Sequence, residues 1–139
     1  MQTGFTILEH PADLGIEARG TTLNEAFEQS AIALMSIILD LSTVSSIESK
    51  RIELTATDIH HLLVKWLTEI LYLYDGQQFV ANRFSIDYLD STTLRATISG
   101  EKLSLEKHQT ILDVKAVTYH QLSVIETNEG ATVRVFLDI

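Results

Sequence analysis

Two segments in which apolar residues recur with a helical period, 22–40 and 58–76, most constrain the fold of this chain. The first begins with Thr22 and Glu25, whose spacing is that of a capping box at a helix N-terminus. The second begins with Asp58, a favourable N-cap residue, and it ends at a glycine. Because the apolar stripe of a helix must be buried, both segments need other elements to pack against.

The rest of the chain alternates apolar and polar residues with the period of two that is typical of strands. Hairpin turns are predicted at D-S-T (90–92) and at T-N-E-G (127–130). Two helices among antiparallel strands predict an α+β fold. We expect one domain, residues 1–139, with two amphipathic helices packed on a mostly antiparallel β-sheet. The strand-like runs lie at 16–19, 51–56, 83–88, 94–98, 112–116, 122–124 and 133–137.

The charge balance limits the function. The net charge is −9, whereas proteins whose main task is to bind nucleic acid need a basic face, so no strong direct binding of nucleic acid is expected. A basic protein partner or a bound cation is compatible with this charge. The chain has no cysteine, which excludes disulfides, thiolate zinc sites and cysteine nucleophiles.

The familiar enzyme motifs are missing. The six glycines do not have the spacing of a phosphate-binding loop or a dinucleotide fingerprint, and the serines do not lie in a nucleophile elbow. The N-terminal residues do not have the pattern of a signal peptide, and the apolar stretches are too short to span a bilayer. We therefore expect a soluble, intracellular protein without a self-sufficient catalytic constellation of the kind that an enzyme needs.

Oxygen-bearing groups at the two ends of the sequence suggest a metal site. Asp13 follows the chain's only proline, while Asp138 and the carboxylate of Ile139 end the last strand-like run. Carboxylate oxygens are the ligands that hard cations such as Ca²⁺ and Mg²⁺ prefer. The alternative is a turn that Asp13 stabilises and a solvated chain end, because the spacing alone does not show that the two ends meet.

Another candidate surface lies in the segment 112–124, where Lys115, Tyr119 and His120 are close in sequence. The simpler interpretation is a β-hairpin with ordinary polar residues on its outside. The alternative is a binding face formed by these three side chains, and periodicity cannot separate the two.

The motifs together resemble the archease family. The resemblance is carried by H-P-A-D-L-G-I at 10–16, by K-A-V-T-Y-H at 115–120 and by the final D-I, in that order and in a chain of this length. It extends over nearly the whole sequence, including both helical segments. Pro11 stands where the family usually has threonine.

The resemblance implies a function that the residue patterns do not show. Archeases assist RtcB-type RNA ligases, the manganese-dependent enzymes that join RNA ends in tRNA splicing and RNA repair. They promote guanylylation of the ligase's active-site histidine and thereby multiple turnover. A general chaperone role, including protection of a tRNA methyltransferase from aggregation, is the alternative that the family suggests. A metal-dependent hydrolase built on Asp13 and Asp138 is a third hypothesis.

The resemblance also implies a divalent-cation site. Carried over to this sequence, its ligands are Asp13, Asp138 and the main-chain oxygens of Ile139. Oxygen-only ligation favours Ca²⁺, with Mg²⁺ or Mn²⁺ as alternatives. His10 is expected to support Asp13 by a hydrogen bond rather than to bind the cation, since imidazole suits softer metals.

Overall fold

The computed structural model describes residues 2–9 and 13–139. Within these ranges the chain forms two sheets and two long helices. The elements are β1 (Gly4–Glu9), β2 (Asp13–Gly20), α1 (Leu23–Ile38), β3 (Glu48–Thr55), α2 (Ile59–Gln77), β4 (Phe79–Leu89), β5 (Thr93–Lys102), β6 (Ala116–Val117), β7 (Ser123–Thr127) and β8 (Gly130–Asp138), with a short 3₁₀ turn at Leu41–Thr43.

The larger sheet has the order β1-β2-β8-β6, and β7 also pairs with β8. The smaller sheet has the order β3-β5-β4. All these pairings are antiparallel. The predicted α+β class is thus confirmed, as are the two predicted hairpins, β4–β5 and β7–β8.

Helix α1 lies at the centre of the molecule. It contacts β1, β2 and β8 of the larger sheet and β4 of the smaller one, and none of its residues is exposed. Its N-terminus has the predicted cap, in which the Thr22 hydroxyl accepts the Glu25 backbone N–H at 3.2 Å. The Glu25 carboxylate in turn accepts the backbone N–H of Thr21 at 3.1 Å.

Helix α2 packs one face into the same core and exposes the other. The Asp58 side chain caps its N-terminus by accepting the His61 backbone N–H at 2.8 Å. The predicted end at Gly76 is slightly wrong. The helix continues to Gln77, and the left-handed residue that terminates it is Gln78, whose φ is 54°.

The strand predicted at 112–116 is wrong. Of this run only Ala116 lies in a strand, the two-residue β6. The backbone N–H groups of Ile111 and Leu112 bond to the Ile38 carbonyl at 2.7 and 3.3 Å, so this stretch satisfies the C-terminal end of α1 rather than a sheet. Val114 alone among its neighbours is buried, which produced the misleading alternation.

A carboxylate at the end of β5 anchors the long segment that follows it. Oε2 of Glu101 accepts the Ser45 backbone N–H at 2.7 Å, and it lies 2.8 Å from the Lys107 ammonium and 2.9 Å from His108 Nε2. The buried His108 ring also accepts the Ser104 backbone N–H on Nδ1, at 2.9 Å. The hydrogen bond from Lys107, with those from Ser45 and His108, lowers the pKa of Glu101 to about 2.

We predict that this carboxylate stabilises the fold at neutral pH and not in acid. Its pKa is about 2 in the folded chain, against an ordinary value of 4.5. The stabilisation is therefore fully present above the ordinary value and is lost as the pH falls through the folded value. The free energy of unfolding of Glu101→Gln should lie below that of the wild type at neutral pH and approach it in acid. Urea denaturation between about pH 7 and about pH 3 measures this.

The matched control is Glu106→Gln, which removes an equal charge from an exposed residue of the same segment. Its free energy of unfolding should follow the wild type at every pH. If the deficit of Glu101→Gln did not change with pH, the carboxylate would not be titrating as the hydrogen bonds require.

Candidate functional site

Two aspartates face each other at the end of the larger sheet. Asp13 is the first residue of β2 and Asp138 is the last residue of β8, and the antiparallel register places them directly opposite. Directly opposite residues project from the same side of a sheet, with Cβ atoms about 4.5–5.5 Å apart. The structure therefore brings together the two carboxylates that the sequence places at opposite ends of the chain.

The side of the sheet on which they lie is the one opposite α1. In β8 the alternate residues Val133, Val135 and Leu137 belong to the core, so Asp138 projects away from it. Asp138 is exposed and Asp13 is half-buried. Like charges that are directly opposite in a sheet destabilise it, whereas a divalent cation between them turns the repulsion into ligation.

The donors at this position fit a hard cation. Carboxylate and main-chain oxygens are what Ca²⁺ and Mg²⁺ prefer, and Ile139, half-buried, directly follows Asp138. Within residues 2–9 and 13–139, no three side chains of His, Cys, Asp or Glu form a group that could hold a metal. Main-chain oxygen can add to the two carboxylates as a ligand, which is the role that the resemblance gives to Ile139.

Beside the aspartates lies an aromatic ring on the outward side of the same sheet. Phe136, two residues before Asp138, is only 4% exposed although it is not part of the central core. Opposite it stands Gly15, where an added Cβ would come within 2.8 Å of the Phe136 ring. The His120 ring packs against Phe136 with 5.7 Å between centroids. Gly15 thus makes room for a ring that forms an apolar wall next to the carboxylates.

The three candidates in the segment 112–124 do not occupy equivalent places. The Lys115 backbone N–H bonds to the Asp138 carbonyl at 2.8 Å, so Lys115 adjoins the aspartate pair. His120 lies over Phe136 on the same outward side. Tyr119 is 58% exposed, and its ring is 5.9 Å from that of His61 on α2. The hairpin interpretation is wrong, because β6 and β7 both pair with β8 and not with each other.

Two sequence predictions concern residues that lie outside the described ranges. His10, expected to support Asp13, is one of them, and Pro11 is the other. Sequence reasoning also missed the pair of Gly15 and Phe136. A signal for it exists, because Phe136 is an apolar residue at an outward position of an otherwise regular alternation.

Comparison with protein families gives the identification. The Archease protein family (MTH1598/TM1083) matches residues 5–139 of this chain. The chain belongs to the archease family. Protein archease of Methanosarcina acetivorans is 36% identical to it in an alignment that covers 97% of this chain and 95% of the relative. The match spans both aspartates, and the family and this relative carry the archease name rather than that of an enzyme.

Solved archease-family structures share the fold. Protein 1598 of Methanobacterium thermoautotrophicum has a solution structure that superposes with a TM-score of 0.83 at 33% identity and covers 99% of this chain and 100% of that one. The crystal structure of an archease from Thermotoga maritima, described as a possible chaperone, has a TM-score of 0.66 at 17% identity and covers 100% of this chain and 98% of that one. Among the described residues, no helix is long and apolar enough to cross a membrane.

Proposed function

We propose that this archease-family chain is a non-catalytic activator of an RtcB-type RNA ligase in tRNA splicing or RNA repair. It acts in the cytoplasm and promotes guanylylation of the ligase's active-site histidine, and thereby multiple turnover. The observation that supports this most is the pair of facing carboxylates, Asp13 and Asp138, on the outward side of the sheet in a chain of this family. A site of this kind lies on the surface, where a partner protein can reach it.

The proposed site holds a divalent cation, most suitably Ca²⁺, with Mg²⁺ or Mn²⁺ as alternatives. Asp13, Asp138 and the main-chain oxygens of Ile139 would hold it. When bound, the cation supplies positive charge that neutralises and orders the two facing carboxylates. The chain's own residues shape the surroundings, since the buried Phe136 ring, with His120 packed against it, lies on the same side of the sheet as the aspartates.

The net charge of the chain and its exposed side chains suggest how it would contact the ligase. A chain with a net charge of −9 is attracted to a basic RNA-binding enzyme, and such complementarity speeds association and fixes orientation. Lys115 and His120 are exposed beside the aspartate pair and Phe136, Tyr119 is exposed next to His61 of α2, and all three are candidates for direct contact with the partner. In this arrangement the acidic end of the larger sheet faces the ligase.

We predict that this chain raises ligase guanylylation and converts a single turnover into multiple turnovers. Purified RtcB-type ligase is mixed with GTP, Mn²⁺ and an RNA with ligatable ends, with and without the chain. Covalent GMP on the ligase and joined RNA per ligase are measured. Asp138→Asn should lose most of the stimulation because it removes one of the two facing carboxylates.

Glu129→Gln is the matched control, since it removes an equal charge from the exposed β7–β8 turn and should stimulate like the wild type. Unchanged guanylylation and turnover with the wild-type chain would contradict the proposal.

The same preparations test the second candidate, a general chaperone. The segment after β5 exposes Leu105 by 77% and Ile111 by 61%, and exposed apolar side chains of this kind can bind unfolded clients. A chaperone would suppress the thermal aggregation of an unrelated protein and would not need Asp138. An activator would stimulate the ligase in an Asp138-dependent way and leave the unrelated protein unprotected.

A further inference from the structure

The outward face of the smaller sheet is uncovered and carries arginines. In β3, β4 and β5 the residues that project away from the core are exposed or half-buried. Arg51, Arg83 and Arg95 are all on this face, one in each strand, and all are exposed. They are three of the five arginines of the chain. A chain with a net charge of −9 thus concentrates its guanidinium groups on one side.

The register shows how the face is arranged. Arg51 stands opposite Thr97, and Arg83 stands opposite Ser99. Arg95 stands opposite Glu53 on one side and Tyr88 on the other. Because Arg51 and Arg95 are diagonal neighbours on paired strands, their Cα atoms are about 7–8 Å apart. Between the arginines lie hydroxyl side chains: Ser49, Ser85, Thr97 and Ser99.

The guanidinium groups of Arg51 and Arg83 are not used by the fold. Among the described residues, neither makes an ion pair or a hydrogen bond from its side chain, and both are therefore open to a ligand. Arg19 and Arg134, which lie on the larger sheet, differ in this respect. Arg19 contacts Glu17 and Thr6, and Arg134 donates to the Gln121 carbonyl.

An aromatic ring completes the face. Tyr88 is 40% exposed, and the Arg95 guanidinium lies over its ring, 4.3 Å from the centroid. The Tyr88 hydroxyl bonds to Asp90, which fixes the ring against the turn between β4 and β5. Three carboxylates lie on or beside this face: Glu53, Asp87, which accepts the Thr97 hydroxyl at 2.9 Å, and Asp90, which accepts the Tyr88 hydroxyl.

We propose that this face, which we call the arginine face (Arg51, Arg83, Arg95 and Tyr88), binds single-stranded RNA. Arginines contact phosphates, and the Arg95 guanidinium, which lies over the Tyr88 ring, is a planar group on which a base can stack. An acidic protein surface would use the arginines as well, but it has no planar group to place on the Arg95 guanidinium over Tyr88, whereas a nucleobase does. The choice of RNA over DNA rests on the proposed function, while the recognition of phosphate and base rests on the face itself.

The negative charge of the whole chain makes this binding weak. The net charge of −9 repels a polyanion at long range, so only the local contacts on this face favour association. We expect a dissociation constant of about 10⁻⁴ M at physiological salt, the weak end of non-specific binding. Three phosphate contacts predict a slope of about −2 for the logarithm of affinity against the logarithm of salt concentration. Weak binding of this kind would suit a protein that holds RNA only while a partner acts on it.

The test is the fluorescence anisotropy of a labelled single-stranded RNA of about 12 nucleotides titrated with the full chain, a length within the usual site size. The double variant Arg51→Gln/Arg83→Gln should lower the affinity at least about fivefold and bring the salt slope to about −0.7, that of one contact. Replacing one base by 2-aminopurine reports stacking, and its fluorescence should be quenched by the wild type and not by Tyr88→Ala. Lys65→Gln/Lys102→Gln, which removes equal charge from exposed residues off this face, is the matched control.

The outcomes separate this proposal from its rivals. If the control double variant lost as much affinity as the arginine double variant, the effect would be one of net charge and the proposal would fail. Tighter binding of a polyglutamate peptide than of RNA would assign the face to an acidic protein instead. DNA of the same sequence bound as tightly as RNA would overturn the assignment of the face to RNA. Because no ligase is present, these results do not depend on whether ligase activation is found.

Discussion

Replacing Trp66 by alanine should lower the free energy of unfolding by about 3–5 kcal/mol, the usual cost of deleting a buried tryptophan. The side chain is fully buried in α2, and it joins three elements. Its Nε1–H donates to the Phe27 carbonyl of α1 at 2.9 Å, and its ring meets Phe84 of β4 edge-on with 6.2 Å between centroids. For a chain of this size the melting temperature should fall by about 10 °C or more.

The measurement is urea denaturation and thermal unfolding followed by circular dichroism. Tyr72→Ala is the matched control, because it removes an aromatic ring from the same helix at a position that is 55% exposed. Its effect should stay within about 0.5 kcal/mol. Trp66→Phe keeps most of the apolar volume and loses the hydrogen bond, so it should cost less than Trp66→Ala. A cost for Trp66→Ala as small as that of Tyr72→Ala would contradict the central place of this residue.

The helices were predictable from the sequence because their signals are local. The capping residues Thr22 and Asp58 lie within one turn of the backbone groups that they satisfy, and the apolar periods of α1 and α2 are contained in each segment. That no residue of α1 is exposed was not predictable. It results from the packing of both sheets around one helix, and Ser30, fully buried there, is tolerated because its hydroxyl bonds to the Phe27 carbonyl at 2.6 Å.

Non-local pairing explains most of what the sequence could not predict. That Asp13 meets Asp138 depends on the pairing of β2 with β8, and a pattern along the chain does not specify which strands pair. The resemblance to the archease family suggested the meeting, whereas the residues alone left it open. The wrong strand at 112–116 has a similar origin, because Ile111 and Leu112 bond to the end of α1, far away in sequence.

The arginine face is a feature that the overall composition of the chain could not predict. A net charge of −9 correctly describes the whole chain, but it averages over surfaces that differ in sign. The alternation along β3, β4 and β5 places each arginine on the outward side, yet only the strand order β3-β5-β4 brings the three together. The expectation that the chain binds no nucleic acid strongly and the proposal of a weak local RNA site are therefore compatible.

The facing aspartates predict that Asp138→Asn is at least as stable as the wild type without metal and less stable than the wild type with Ca²⁺. Without metal, Asp138→Asn should be at least as stable as the wild type, because it removes one of two like charges that are directly opposite in the sheet. With Ca²⁺ at about a hundred times its dissociation constant, the wild type should gain about 2.7 kcal/mol from binding. The variant should gain much less, because the loss of a charged ligand weakens Ca²⁺ binding.

Thermal unfolding in EDTA and in Ca²⁺ measures both signs, and calorimetric titration gives the affinity directly. We expect Asp13→Asn and Asp138→Asn each to weaken Ca²⁺ binding by at least about tenfold, in line with the dependence of affinity on ligand charge. Glu129→Gln, with the same change of charge in the β7–β8 turn, should bind like the wild type. Equal Ca²⁺ affinity in all these variants would show that this pair of aspartates does not bind the cation. A lower stability of Asp138→Asn than of the wild type in EDTA would show that the two carboxylates do not repel each other.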